Sequence, residues 1–140
     1  MNIYLSPHEP PDKSYVWVQN VAALNGIVAD SEARTIICDM FLAQFTYEEI
    51  PKVLQHVYKK MRTGCELSIV EPDLNFISRY VLKNGVDQDY LSQTVFVGTA
   101  IKSVPDMETI VLGLPPNMQV MHRGFYEESC KSLLKIRRSA

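Results

Sequence analysis

The segment from Thr46 to Asp73 constrains the fold more than any other. It holds, in order, a helix signature, a glycine stop, a buried strand and an acidic turn. Ile50, Val53, Leu54, Val57 and Met61 recur at the spacing that makes one apolar stripe on an α-helix. Thr46 and Glu49 form a capping box, and Pro51 falls early enough to sit in the first turn. Lys59, Lys60 and Arg62 crowd the last turn, and Gly64 stands where a helix-terminating glycine belongs. Glu66 to Val70 then reads as a strand, and Asp73 can cap the helix that follows. A helix feeding straight into a strand is one αβ unit of a layered α/β domain.

The remaining segments extend that pattern. Asn2–Leu5 is a short apolar run closed by a loop with prolines at 7, 10 and 11, which excludes helix or central strand there. Tyr15–Val18 is rich in aromatic and β-branched residues and reads as a strand. Val21, Ala22 and Leu24 make a short helical turn before Gly26. Arg34–Cys38 is nearly continuous in apolar character, as expected of a parallel strand covered on both faces. The helix after Asp73 runs to Asn84-Gly85. Asp89–Val97 is expected as helix, with strand character at Thr94–Val97, and a short helix is expected from Ser103 to Ile110. Gln119–Arg123 is weakly extended. Phe125–Arg137 is expected to be a final helix, its apolar surface supplied by Tyr126, Cys130, Leu133, Leu134 and Ile136.

The alternation predicts one α/β domain over residues 1–140, with a mainly parallel sheet of about five strands and helices on both faces. A chain of 140 residues suffices for one real core. Net charge is −2, which gives no electrostatic reason to expect a nucleic-acid or membrane partner. The basic residues Lys131, Lys135, Arg137 and Arg138 are read as a solvated helix end rather than a phosphate-binding patch. Cys38, Cys65 and Cys130 are too few and too widely spaced for a disulfide framework or zinc site, which fits a reducing, cytoplasmic compartment. No signal peptide or membrane-length apolar run is read from the sequence.

Candidate chemistry is sparse. His8 and Glu9 share the proline-rich loop and can be an acid–base pair or plain surface polarity. Asp39 ends a parallel strand, where open α/β sheets bind ligands, or it caps the next turn. Glu71 and Asp73 flank Pro72 and can pair as carboxylates, although the helix cap is the simpler role for Asp73. His56 is read as solvated and His122 as a loop residue. Neither has metal-ligand spacing, and no metal site is expected. No catalytic triad is signalled, and no catalytic residue is assigned.

The order of segments resembles a class I S-adenosylmethionine-dependent methyltransferase domain, of the type 11 or predicted methyltransferase kind. Ile36-Ile-Cys-Asp-Met-Phe-Leu-Ala-Gln-Phe45 looks like that family's D-x-I-x-x-x-x-x-L-E-H-F turn. Met61-Arg-Thr-Gly-Cys-Glu-Leu-Ser-Ile-Val-Glu-Pro-Asp73 looks like its L-K-P-G-G-x-L-x-I-x-x-P-D stretch. His122-Arg-Gly-Phe-Tyr126 looks like a late family segment. The resemblance spans nearly the whole chain and implies a Rossmann-like fold.

It also exposes departures. The family's first strand ends in a glycine-rich turn that lets backbone N–H groups reach the cofactor. Here Ile3 to Pro11 contains no glycine. An acidic ribose ligand is expected after the second strand, where this chain has Gln19-Asn20. L-E-H becomes Leu42-Ala-Gln44, and the two closing strands are expected to be absent. The resemblance therefore implies a truncated, degenerate member with no cofactor. It would be a non-catalytic module for a protein partner or homo-oligomer, such as a viral or phage accessory or assembly subunit, cytoplasmic or within a virion. The alternative is a working methyltransferase with an atypical cofactor loop. It would hold S-adenosylmethionine through Leu5, Ser6, His8, Glu9, Gln19, Asn20 and Asp39.

Overall fold

The computed structural model describes residues 1–92, 101–126 and 130–140. Six strands form one sheet: β1 (Asn2–Leu5), β2 (Val16–Val18), β3 (Ala33–Asp39), β4 (Met61–Pro72), β5 (Met118–Tyr126) and β6 (Lys131–Arg138). Their order across the sheet is β2-β1-β3-β4-β6-β5. The pairs β1–β2, β1–β3 and β3–β4 are parallel, whereas β4–β6 and β6–β5 are antiparallel. The chain leaves β1 toward β2 and then crosses back to β3 on its other side. That reversal makes the C-terminal ends of β1 and β3 a topological switch point.

Helix α2 (Ile50–Lys60) follows the expected stripe. Ile50, Val53, Leu54, Val57 and Tyr58 are buried, each worth about 1.5–3 kcal/mol relative to exposure for the aliphatic side chains. Half of the capping box forms: the Thr46 N–H donates to Glu49 Oε1 at 3.1 Å. The helix stops at Lys60, so Gly64 lies inside β4. Its φ of 85° serves an irregularity where the β3–β4 register shifts, not a helix end. Helix α3 (Leu74–Asn84) is capped as expected: Asp73 accepts from the Phe76 N–H at 3.0 Å, and Gly85 takes φ 75° just past the end.

Side chains alternate along the strands. Ile3, Leu5, Ile36, Cys38, Leu67, Ile69, Leu134 and Ile136 join one core cluster with Leu24 of α1 (Leu24–Ile27), the buried stripe of α2, and Met107 and Ile110 of α5 (Met107–Leu112). The helices with buried side chains among the described residues thus contribute to a single cluster. The opposite strand faces, including Trp17, Ile37, Ser68, Val70 and Lys135, are half-buried.

The final helix expected at Phe125–Arg137 is not formed. Residues 131–138 are β6, and its burial alternates: Ser132, Leu134 and Ile136 face the core. The chain therefore possesses a closing antiparallel strand pair, contrary to the expectation that the two closing strands are absent. The C-terminal cations decorate a strand instead of a helix end, and Arg137 pairs across to Glu66 at 2.6 Å. His122 lies on β5, not in a loop. His56 is not simply solvated, since its Nε2 is buried without a partner. Of the helix expected over 89–97, a short α4 (Gln88–Tyr90) is present, and Thr94–Val97 lie outside the described residues. Cys38, Cys65 and Cys130 are all buried. No described helix is long and apolar enough to cross a membrane.

Candidate functional site at the strand ends

The three strands β2, β1 and β3 end side by side, with Leu5 in register with Val18 on one side and Cys38 on the other. This arrangement gathers the seven candidate residues at one end of the sheet. They differ in what they can offer. Leu5 and Ser6 are fully buried, His8 and Asp39 half-buried, and Glu9, Gln19 and Asn20 exposed.

Much of the local polarity is already spent within the chain. The Ser6 N–H donates to the Val18 carbonyl at 3.3 Å. The Trp17 indole donates to the Ser6 carbonyl at 2.9 Å, and the His8 N–H donates to Ser6 Oγ at 3.1 Å. Asn20 Oδ1 accepts from the Ala22 N–H at 2.9 Å and so caps the short turn Val21–Ala23. Asp39 does not cap the turn that follows it. Its Oδ2 accepts from the Tyr4 hydroxyl at 2.5 Å. Burial, then the hydrogen bond and charge of Asp39, hold the Tyr4 phenol well above its ordinary pKa, so Tyr4 stays a donor.

Glu71 behaves unlike its neighbour Asp73. Cys65, Leu67, Ile69 and Glu71 share the buried face of β4, so strand parity carries the carboxylate inward. It accepts from the Leu42 N–H at 2.6 Å and the Ala43 N–H at 3.3 Å. The carboxylate thereby ties the end of β4 to the turn after β3. Burial pushes its pKa up to about 8, although these backbone donors pull the other way. The proposed Glu71–Asp73 pairing does not occur in the hydrogen bonds of either residue. The signal that identifies Glu71 is its place in the i, i+2 series of buried β4 residues.

No family model and no curated protein matches this chain by sequence. Solved structures do match its shape. An O-methyltransferase family protein from Burkholderia thailandensis superposes with a TM-score of 0.59 at 16% identity, over 90% of this chain and 36% of the other. The fold is that of the S-adenosylmethionine-dependent methyltransferases. A methyltransferase from Anabaena variabilis gives 0.54 at 12% identity, over 89% and 58% of the two chains. The magnesium protoporphyrin IX methyltransferase of Synechocystis, solved with S-adenosylhomocysteine, gives 0.51 at 15% identity, over 89% and 51%. The chain thus spans roughly one-third to three-fifths of the length of these methyltransferase-fold proteins.

The cofactor implied by this fold meets a particular donor set. The backbone N–H groups of Ser6 and His8 are occupied, and Pro7, Pro10 and Pro11 have none. Among the described residues, the side chains of His8, Glu9 and Gln19 carry no hydrogen bond. A nucleoside-type ligand at these strand ends would therefore have to be held by side chains and not by a glycine-rich backbone cradle.

Proposed function

We propose that this chain is an S-adenosylmethionine-dependent methyltransferase domain with an atypical cofactor loop. The observation that carries the reading is the switch point between β1 and β3, with Asp39 at the end of β3, His8 and Glu9 in the loop after β1, and Gln19 at the end of β2. Gln19 and Glu9 offer hydrogen bonds to ribose hydroxyls. Asp39 offers a carboxylate once the Tyr4 hydroxyl gives way, and His8 offers a polar ring over the loop. The cofactor's chemistry is donation of a methyl group from a sulfonium. These residues bind and orient it.

One observation favours a second reading, a methyltransferase fold kept as a non-catalytic interaction module. The loop's donors and Asp39 are satisfied internally, as they would be in a site no longer selected for a ligand.

Calorimetric titration with S-adenosylmethionine and S-adenosylhomocysteine separates the two. Micromolar binding that weakens in Asp39→Asn and Gln19→Ala supports the enzyme reading. No heat at millimolar ligand leaves the interaction module, and the protein's mass in solution then reports self-association.

A further inference from the structure

A concavity lies at the ends of β4 and β5, where α3 and α5 begin. Its volume is about 360 Å³. Its lining includes three of the most exposed apolar side chains among the described residues: Tyr47 at 63%, Leu74 at 62% and Phe125 at 57% exposure. Scattered singly, such side chains need no explanation. Gathered around one cavity, they form an apolar rim.

The polar residues lining the cavity include Ser132, Asp73, Asn75, Asp106 and Arg123, with the Tyr47 hydroxyl already bonded to the Val104 backbone. Ser132 is 3% exposed, and its Oγ has no hydrogen-bond partner. A buried hydroxyl without a partner is unusual in a native structure and marks a group waiting for one. Asp73 accepts from the Phe76 N–H, and Asp106 accepts from the Glu108 N–H at 3.1 Å and from Thr109 Oγ1 at 2.9 Å. Both carboxylates keep lone pairs beyond these caps. Arg123 is matched by Glu108 at 2.7 Å, so its charge is already answered. Two carboxylates therefore set the sign of the cavity.

We propose that this cavity binds a small organic amine. Its protonated nitrogen would donate to Asp73, Asp106 and Ser132 Oγ, and its apolar body would lie against Phe125, Tyr47 and Leu74. An ammonium beside aromatic faces gains further attraction. The inference does not rest on the cofactor reading, because the cavity shares no residue with the candidate site at the ends of β1, β2 and β3.

Three probes of one shape test it on the full chain: phenethylamine, 2-phenylethanol and phenylacetate, followed by calorimetry and thermal shift. The amine is expected to bind at least about tenfold more tightly than the alcohol, the difference made by charge-assisted hydrogen bonding. Phenylacetate is expected to be excluded. Ser132→Ala should weaken the amine about threefold or more without lowering the melting temperature, since it removes an unpaired buried hydroxyl. A purely structural serine would give the opposite pair of results. Phe125→Ala, at an exposed position, should weaken the amine while the fold is kept. The proposal is overturned by phenylacetate binding as tightly as the amine, by amine affinity unchanged in both variants, or by no amine binding at millimolar concentration.

Discussion

At the scale of single residues, Glu71 is the most consequential side chain. Its folded pKa, about 8, lies above the ordinary 4.5, so the native state holds the proton more tightly than the unfolded chain. The stability from that proton is full below about pH 4.5 and is lost as pH rises through about 8. Urea unfolding should show a midpoint falling across this window in the wild type. Glu71→Gln should flatten that dependence while keeping the bond from Leu42. Glu71→Ala should destabilise at every pH, by about 1–3 kcal/mol for each buried amide left bare. A midpoint indifferent to both substitutions would remove Glu71 from this role. Gly64 gives a second residue-scale expectation. Nothing lies within 4 Å of where its Cβ would stand, so Gly64→Ala meets open space and only the positive φ opposes it. Chemical denaturation should report a loss of about 1–2 kcal/mol.

At the scale of elements, legibility followed periodicity. Helix α2 was readable because five apolar residues hold one face, and α3 because Asp73 and Gly85 mark its two ends. The boundary between α2 and β4 was misplaced because Gly64 serves an irregularity within the strand, a use that sequence shares with helix termination. β6 was hidden by Ser132. In Lys131-Ser-Leu-Leu-Lys-Ile-Arg-Arg138 the buried face reads Ser, Leu, Ile, and the half-buried face also contains Leu133. A polar residue inside and an apolar one outside blur the alternation that marks a strand. The strand ends were legible as a location, since Asn2–Leu5, Tyr15–Val18 and Arg34–Cys38 read as strands, whereas their order across the sheet was not. The internal hydrogen bonds of Ser6, Asn20 and Asp39 were not legible, because they depend on tertiary register. Tyr4→Phe probes that register directly. Losing the bond to Asp39 should cost about 1 kcal/mol, read by thermal denaturation.

At the scale of the whole molecule, the sheet joins a parallel half to an antiparallel pair along β4, which pairs with β3 on one side and β6 on the other. Leu134 and Ile136 lie in the same core cluster as Ile3, Ile36 and Leu67, so the two halves share one interior. A chain ended before Met118 should therefore lose cooperative thermal unfolding, as circular dichroism would show. Retention of a sharp transition would mean that the parallel half folds alone. The same seam has a consequence during synthesis. Leu67 and Ile69 emerge from the ribosome long before Ile136 and Leu134, their partners across the sheet. Until β6 arrives, one flank of β4 is an unclaimed template of backbone donors and acceptors beside apolar side chains. The nascent chain is thus most prone to mispairing in the interval between β4 and β6, and β6 is the strand that seals it.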